Sequence, residues 1–122
     1  MSSNAPHLKL GQDAEALACT YLQNQGLSVL TRNFRCQLGE IDLIMRDKQA
    51  LVFVEVRSRA NSDAYHPLAS IGYHKQQRLR RASLVFLQKQ PQFSHSPCRF
   101  DVIGITYRQE LPRIEWVKHA WS

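Results

Sequence analysis

The chain has few cysteines and no long apolar segment. Its three cysteines are widely spaced and odd in number, which excludes a framework of paired disulfides and does not fit the ligand spacing of a zinc site. We therefore expect Cys19, Cys36 and Cys98 to be free thiols in a reducing cytoplasm. No run approaches the ~18 consecutive apolar residues of a membrane span, and the N-terminal segment lacks an apolar signal core. The composition predicts a cytoplasmic protein without membrane contact.

Acidic residues are scarce relative to basic ones. The 122-residue chain has 10 aspartates and glutamates against 16 lysines and arginines, which gives a net charge of +6. Arginines outnumber lysines by 11 to 5, and the planar guanidinium group can contact phosphate through two parallel N–H groups. This balance favours a nucleic-acid partner, although solubility alone would also explain it. The length suits a single domain with one hydrophobic core.

Apolar periodicity divides the chain into helices and strands. It predicts a flexible tail at residues 1–10 and a single domain at 11–122. The predicted elements are, in chain order, a helix at 12–25, a strand at 27–30, a polar connection at 33–39, strands at 40–46 and 51–57, a helix at 70–90, and strands at 99–107 and 114–118. This order indicates an α/β fold in which helices flank a mixed sheet. A doubly wound parallel sheet does not fit, because only a short loop at 47–50 joins the central strands.

The loop at 47–50 determines how those two central strands pair. A symmetric four-residue hairpin loop places Asp42 opposite Glu55 on one face of the pair. The same register places Glu40 opposite Arg57 on that face. The other face is wholly apolar and is predicted to be core, with Ile41, Leu43, Met45, Val52, Val54 and Val56.

Two facing carboxylates need a third group to relieve their repulsion. Their Cβ atoms would lie ~4.5–5.5 Å apart, and two charges ~5 Å apart repel by roughly 3 kcal/mol at an effective dielectric constant near 20. A shared proton, an arginine or a divalent metal would reduce this repulsion. Because Mg²⁺ prefers carboxylate oxygens, Asp42 and Glu55 are candidate metal ligands. A structural network in which Arg57 pairs with Glu40 and Glu55 explains the same residues, and the pattern leaves both interpretations open.

Two further sets of charged residues are candidates for the same site. Glu15 lies at the edge of the apolar stripe of the first predicted helix. Its side chain is predicted either to lie above the edge of the sheet or to belong to the solvated side of the helix. Residues 74–81 form the densest basic run of the chain. Within it, Lys75, Arg78 and Arg81 are predicted either to bind nucleic-acid phosphates or to form a solvated helix face.

Five short motifs resemble those of a known protein family. They are Gly11–Glu15 (GxxxE), Arg32–Asn33 (RN), Gly39–Asp42 (GEID), Phe53–Arg57 (FVEVR) and Arg99–Asp101 (RFD). In this order they resemble the YraN family of small, largely uncharacterised bacterial proteins, over roughly Gly11 to Lys118. That family is similar to the restriction-endonuclease-like fold of PD-(D/E)xK nucleases, particularly archaeal Holliday-junction resolvases. The resemblance implies a mixed sheet with flanking helices.

The resemblance also implies a catalytic site. In the nuclease motif, an aspartate precedes an acid-x-lysine triplet on the next strand, and Asp42 and Glu55 match these acids. The implied function is a Mg²⁺-dependent or Mn²⁺-dependent endonuclease that acts on DNA, including branched or structured DNA. The implied catalytic residues are Glu15, Asp42, Glu55 and Arg57, and the implied metal ligands are Asp42, Glu55 and the carbonyl of Val56.

The chain departs from the motif at two positions. Arg57 stands at the lysine position, and because arginine stays protonated it cannot act as a general base, although it can stabilise charge on a phosphate. Ile41 stands where the motif often has proline. Lys75, at the start of the basic run, is a candidate for the missing lysine.

Two other classes of function are compatible with the sequence. The first is a non-catalytic nucleic-acid-binding or adaptor protein that keeps the nuclease fold, since a fold alone does not determine an activity. The second is a structural partner in a complex, for which the aromatic stretch 116–121 would be a docking surface; it would otherwise be an edge strand with exposed tryptophan. The analogy with resolvases, which act on two-fold symmetric DNA junctions, suggests a homodimer.

Overall fold

Two helices and five strands form a mixed α/β fold. The computed structural model describes residues 6–60, 71–107 and 111–121. Its elements are α1 (Pro6–Asn24), β1 (Ser28–Cys36), β2 (Gly39–Asp47), β3 (Ala50–Ala60), α2 (Tyr73–Lys89), a short 3-10 helix (Pro91–Phe93), β4 (Cys98–Tyr107) and β5 (Arg113–Trp121). The predicted order of helix, three strands, helix and two strands is confirmed. This architecture is consistent with a restriction-endonuclease-like domain.

The five strands form one sheet in which each strand lies beside its neighbour in sequence. The order is β1-β2-β3-β4-β5, and only the pair β3–β4 is parallel. A parallel pair needs a crossover connection, and α2 lies between β3 and β4 in the chain. The two strands of the predicted hairpin are therefore joined by a tight turn, and β3 has strand partners on both sides.

Both faces of the sheet are covered by a helix. The core between α1 and the sheet contains Ala14, Ala18, Leu22, Leu43, Met45, Val52 and Val54. The core between α2 and the sheet contains Ile41, Ile44, Leu51, Phe53, Leu79, Ala82 and Phe86. The predicted apolar face is therefore only one of two buried faces. Where β2 and β3 are covered by both helices, their charged positions lie beside apolar neighbours rather than on an open surface.

One residue of the predicted apolar face lies on the other side of the sheet. Ile41 packs with Ile44 beneath α2 and not with Leu43 beneath α1, so the simple alternation predicted for β2 is wrong at its start. In the adjacent strand β1, Asn33 has a positive φ of 56°. Its neighbours pair as Arg32 with Leu43 and Phe34 with Ile41.

The boundaries of several elements differ from the prediction. β1 continues to Cys36, so the polar connection predicted at 33–39 is wrong. The hairpin between β2 and β3 has a two-residue turn, because Asp47 pairs with Ala50. α1 begins at Pro6, so residues 6–10 are helical, while residues 1–5 lie outside the described part of the chain. Neither of the described helices is long and apolar enough to cross a membrane.

A buried carboxylate anchors the edge strand β5. Asp101 of β4 is fully buried and accepts hydrogen bonds from Trp116 Nε1 and the His119 backbone N–H, each at 2.9 Å. Arg99 Nε donates to both oxygens of Asp101, and its Nη2 reaches Asp47 Oδ2 at 3.0 Å. This network ties β5 to the β2–β3 turn. The aromatic stretch is an edge strand whose Trp116 is half-buried, which corrects the expectation of exposed tryptophan.

Candidate functional site

The two predicted acids, Asp42 and Glu55, lie on the neighbouring strands β2 and β3, at the point where the backbone pairing of these strands ends. The register predicted for β2 and β3 is confirmed from the turn as far as the pair Leu43 and Val54. Beyond it, the Asp42 side chain takes the place of a backbone partner, since the Val56 N–H donates to Asp42 Oδ2 at 2.8 Å. Asp42 and Glu55 are therefore adjacent, although they do not form the directly facing ladder pair that the sequence predicted.

Asp42 holds a proton that its neighbours keep in place. Burial of the carboxyl group, followed by the negative charge of Glu55, raises the pKa of Asp42 from 3.8 to about 8. The charge of Glu15 and a side-chain hydrogen bond with Glu55 raise the pKa further, whereas the hydrogen bond from Val56 lowers it. At neutral pH, Asp42 is thus protonated, and its carboxyl group is hydrogen-bonded to Glu55. Sharing a proton is one of the remedies expected for two close carboxylates.

Glu55 is buried and is also paired with two cations. It is only 4% exposed, and its Oε2 atom lies 3.2 Å from Arg57 Nη1 and 3.4 Å from Lys75 Nζ. A buried carboxylate needs such partners, because the loss of its hydration is otherwise uncompensated. The predicted pair of Arg57 with Glu55 is confirmed. Glu40, which was expected to join it, forms an ion pair with Arg35 on the adjacent strand at 3.2 Å.

Lys75 brings the second helix to the site: the sequence offered it as a candidate for the missing lysine, and the structure adds its contact with Glu55. The signal was in its spacing: Lys75 precedes the buried residues Leu79, Ala82 and Phe86 by four, seven and eleven positions. These intervals place all four side chains on one face of α2. Lys75 therefore lies at the end of the buried stripe, and its side chain is only partly buried, with 33% of its surface exposed.

The other two basic candidates lie on the outside of the same helix. Arg78 and Arg81 are exposed, so the predicted trio divides into one residue at the carboxyl pair and two at the surface. The backbone of Arg78 also lies against Gly39, where an added Cβ would come within 3.4 Å of the Arg78 carbonyl oxygen. Gly39 has a φ of 151°, which also favours glycine. This contact holds the start of β2 close to the basic helix.

Glu15 approaches the carboxyl pair from the first helix. It is half-buried, and its charge is one of the causes of the raised pKa of Asp42. The fold therefore brings together side chains from α1, β2, β3 and α2. They are Glu15, Asp42, Glu55, Arg57 and Lys75. All four residues predicted to be catalytic belong to this cluster.

The carboxyl pair fits a hard metal ion that keeps much of its water. In the part of the chain that the structure describes, no three side chains from His, Cys, Asp and Glu are grouped to hold a metal. Mg²⁺ does not require such a cage, since it is commonly bound through one or two carboxylates and several waters. Asp42 and Glu55 would supply hard oxygen ligands to such an ion.

Comparison with known proteins gives a consistent family match. Residues 14–105 match the model of the family described as Uncharacterised protein family UPF0102. A UPF0102 protein of Coxiella burnetii is 50% identical over 112 residues, covering 92% of this chain and 91% of that protein. A UPF0102 protein of Nitrosococcus oceani is 45% identical over 117 residues, covering 96% of this chain and 94% of that protein.

Proposed function

This chain belongs to the uncharacterised protein family UPF0102, and we propose that it is a metal-dependent endonuclease that cleaves DNA, including branched or structured DNA. One observation carries the proposal. Asp42 and Glu55 lie on adjacent strands, share a proton and stand beside two cations. Carboxylates that resist simultaneous ionisation are typical of functional sites, where a metal ion or a substrate supplies the missing charge.

Each of the four residues predicted to be catalytic has a role in this proposal. Asp42 and Glu55, with the Val56 carbonyl, would hold Mg²⁺ or Mn²⁺. When bound, the ion supplies Lewis-acid charge and lowers the pKa of a coordinated water. Glu15 orients that water from α1. Arg57 stabilises the negative charge that develops on the scissile phosphate, a role that a permanently charged guanidinium can fill.

The surrounding charge supports DNA as the substrate. The net charge of the chain is +6, and Arg78 and Arg81 present two guanidinium groups on the outer side of the helix that carries Lys75. Contacts between basic residues and the phosphate backbone give affinity that does not depend on sequence and that falls steeply with salt. We propose that these residues hold the DNA backbone beside the carboxyl pair.

A second candidate is a non-catalytic nucleic-acid-binding or adaptor protein. The observation that favours it is the charge balance at Glu55, which already has Arg57 and Lys75 within 3.4 Å or less. Together with the proton on Asp42, these cations compensate the negative charge of the two carboxyl groups without a metal. In this case, the acids would stabilise the fold and the basic surface alone would act on nucleic acid.

A cleavage assay separates the two candidates. Wild type should cut at least one of linear, flapped or four-way DNA in the presence of Mg²⁺ or Mn²⁺, and EDTA should abolish the cleavage. Asp42→Asn, which keeps an acceptor for the Val56 N–H, should be inactive. Glu40→Gln is the matched control, because Glu40 is an exposed carboxylate of the same strand that pairs with Arg35. Wild type that binds these DNAs without cutting any of them would favour the second candidate.

A further inference from the structure

We propose that Lys75 is the lysine of this site, and that it positions Glu55 and contacts the scissile phosphate from α2. This inference rests on the proposed nuclease function. Its basis is the ion pair between Lys75 Nζ and Glu55 Oε2 at 3.4 Å. The same oxygen is 3.2 Å from Arg57 Nη1. Two cations from different layers of the fold therefore meet at one buried carboxylate oxygen.

The position of Lys75 in the fold suits a functional role better than a purely structural one. Leu79, Ala82 and Phe86 complete the apolar stripe that it begins, and an apolar residue at its position would extend that stripe. Arg57 alone already gives Glu55 a cationic partner. The side chain of Lys75 is 33% exposed, so its ammonium group lies at the boundary between the core and solvent. A phosphate that approaches the carboxyl pair would meet it there.

The chemistry of lysine differs from that of arginine in a way that matters here. The ammonium group has three donors that rotate freely, so contact with Glu55 leaves two of them for a phosphate oxygen and a water. The guanidinium group of Arg57 is a fixed planar fork and never releases its proton. Arg57 therefore neutralises charge, whereas Lys75 can hold Glu55, a water and a phosphate oxygen in one arrangement.

Variants that move the lysine between the two positions test this assignment. Lys75→Met removes the charge and keeps an unbranched side chain. Lys75→Arg keeps the charge but replaces the ammonium group. The double variant Lys75→Met/Arg57→Lys moves a lysine onto β3, where it can reach the same oxygen of Glu55. Lys89→Met is the matched control, since Lys89 lies at the other end of α2 with its Nζ 5.9 Å from the ring centre of Phe34.

Two measurements are needed, and only one of them is activity. In single-turnover cleavage with Mg²⁺, Lys75→Met and Lys75→Arg should be slower than wild type by about 100-fold or more, the usual effect of removing one donor to the reacting group. The double variant should cleave at least about tenfold faster than Lys75→Met. The second measurement is DNA affinity against salt concentration without divalent metal. Loss of one phosphate contact should reduce the slope by about one in Lys75→Met, and Lys75→Arg should retain the slope.

Different failures have different meanings. Lys89→Met should match wild type in both measurements, and thermal unfolding of every variant shows whether it is folded. Folded Lys75→Met that cleaves at the wild-type rate, or a double variant no faster than Lys75→Met, would overturn the role of Lys75 and leave the nuclease function standing. An unchanged salt slope in Lys75→Met would overturn the phosphate contact. Wild type that cleaves no DNA would overturn the nuclease function and this inference with it.

Discussion

Replacing Asp42 with asparagine should change how the stability of the protein depends on pH. The pKa of Asp42 is raised from 3.8 in the unfolded chain to about 8 in the folded protein, mainly by burial and by the charge of Glu55. Between these values the folded protein keeps a proton that the unfolded chain has lost. The contribution of Asp42 to stability is therefore fully present below about pH 4 and decreases until about pH 8.

The magnitude follows from the difference between the two pKa values. Each pH unit in this window lowers the free energy of unfolding by about 1.4 kcal/mol, so the whole window amounts to on the order of 5 kcal/mol. The asparagine side chain in Asp42→Asn resembles the protonated acid, since it can accept from Val56 N–H and donate to Glu55. It does not titrate, so the substitution should remove this loss of stability. The variant should therefore gain most over wild type above pH 8 and little near pH 4.

Urea denaturation of wild type and Asp42→Asn at pH 4.5, 7 and 9, without divalent metal, measures the difference directly. Groups that do not interact with Asp42 contribute equally to both proteins, so the difference between the two profiles isolates the Asp42–Glu55 pair. Glu40→Gln, in which an exposed carboxylate of the same strand is neutralised, should follow the wild-type profile. Parallel profiles for wild type and Asp42→Asn would refute the shared proton.

Three further predictions concern the core, the buried network and the basic helix. Phe86→Ala should lower the free energy of unfolding by about 3–5 kcal/mol, because Phe86 contacts three other aromatic rings. In the same urea titration, the control Leu84→Ala, at an exposed position, should change the free energy of unfolding by less than about 0.5 kcal/mol. Asp101→Ala should lower the free energy of unfolding by about 3–5 kcal/mol, because the Arg99 guanidinium loses its buried carboxylate partner and Trp116 Nε1 and the His119 N–H lose their acceptor. Hydrogen exchange should then show early opening of β5, and protection of β5 as in wild type would contradict the network. The double variant Arg78→Gln/Arg81→Gln should reduce the salt slope of DNA binding by about two, and an unchanged slope would place the DNA elsewhere.

The order and register of the central elements were predictable from the sequence. Alternation of apolar residues in β2 and β3 and the short loop between them fix the pairing of Ile44 with Phe53. β1 was less predictable, because the sequence from Asn33 onward was predicted to be a polar connection. The extension of β1 beyond Leu30 depends on pairing with β2, and a residue with positive φ, Asn33, interrupts the alternation. Local pattern contains no information on that tertiary contact.

The candidate site was likewise predictable where it depends on local pattern and not where it depends on tertiary contacts. The proximity of Asp42 and Glu55 follows from the hairpin, so sequence reasoning found both acids. The contact of Lys75 with Glu55 depends on how α2 lies across the sheet, which periodicity alone does not give. Asp101 was recognised only as part of a motif, because its donors come from β5 and their positions depend on the register of an edge strand.

The central claim is that Asp42 and Glu55 hold a divalent metal in place of their shared proton, and calorimetry at pH 7 tests it most directly. Mn²⁺ or Mg²⁺ should bind wild type at one site and release a proton, so that the measured heat changes between buffers of different ionisation enthalpy. Asp42→Ala should not bind, and Glu40→Gln should bind as wild type does. Absence of binding to wild type, even with DNA present, would contradict the claim and leave the acids as partners of Arg57 and Lys75 alone.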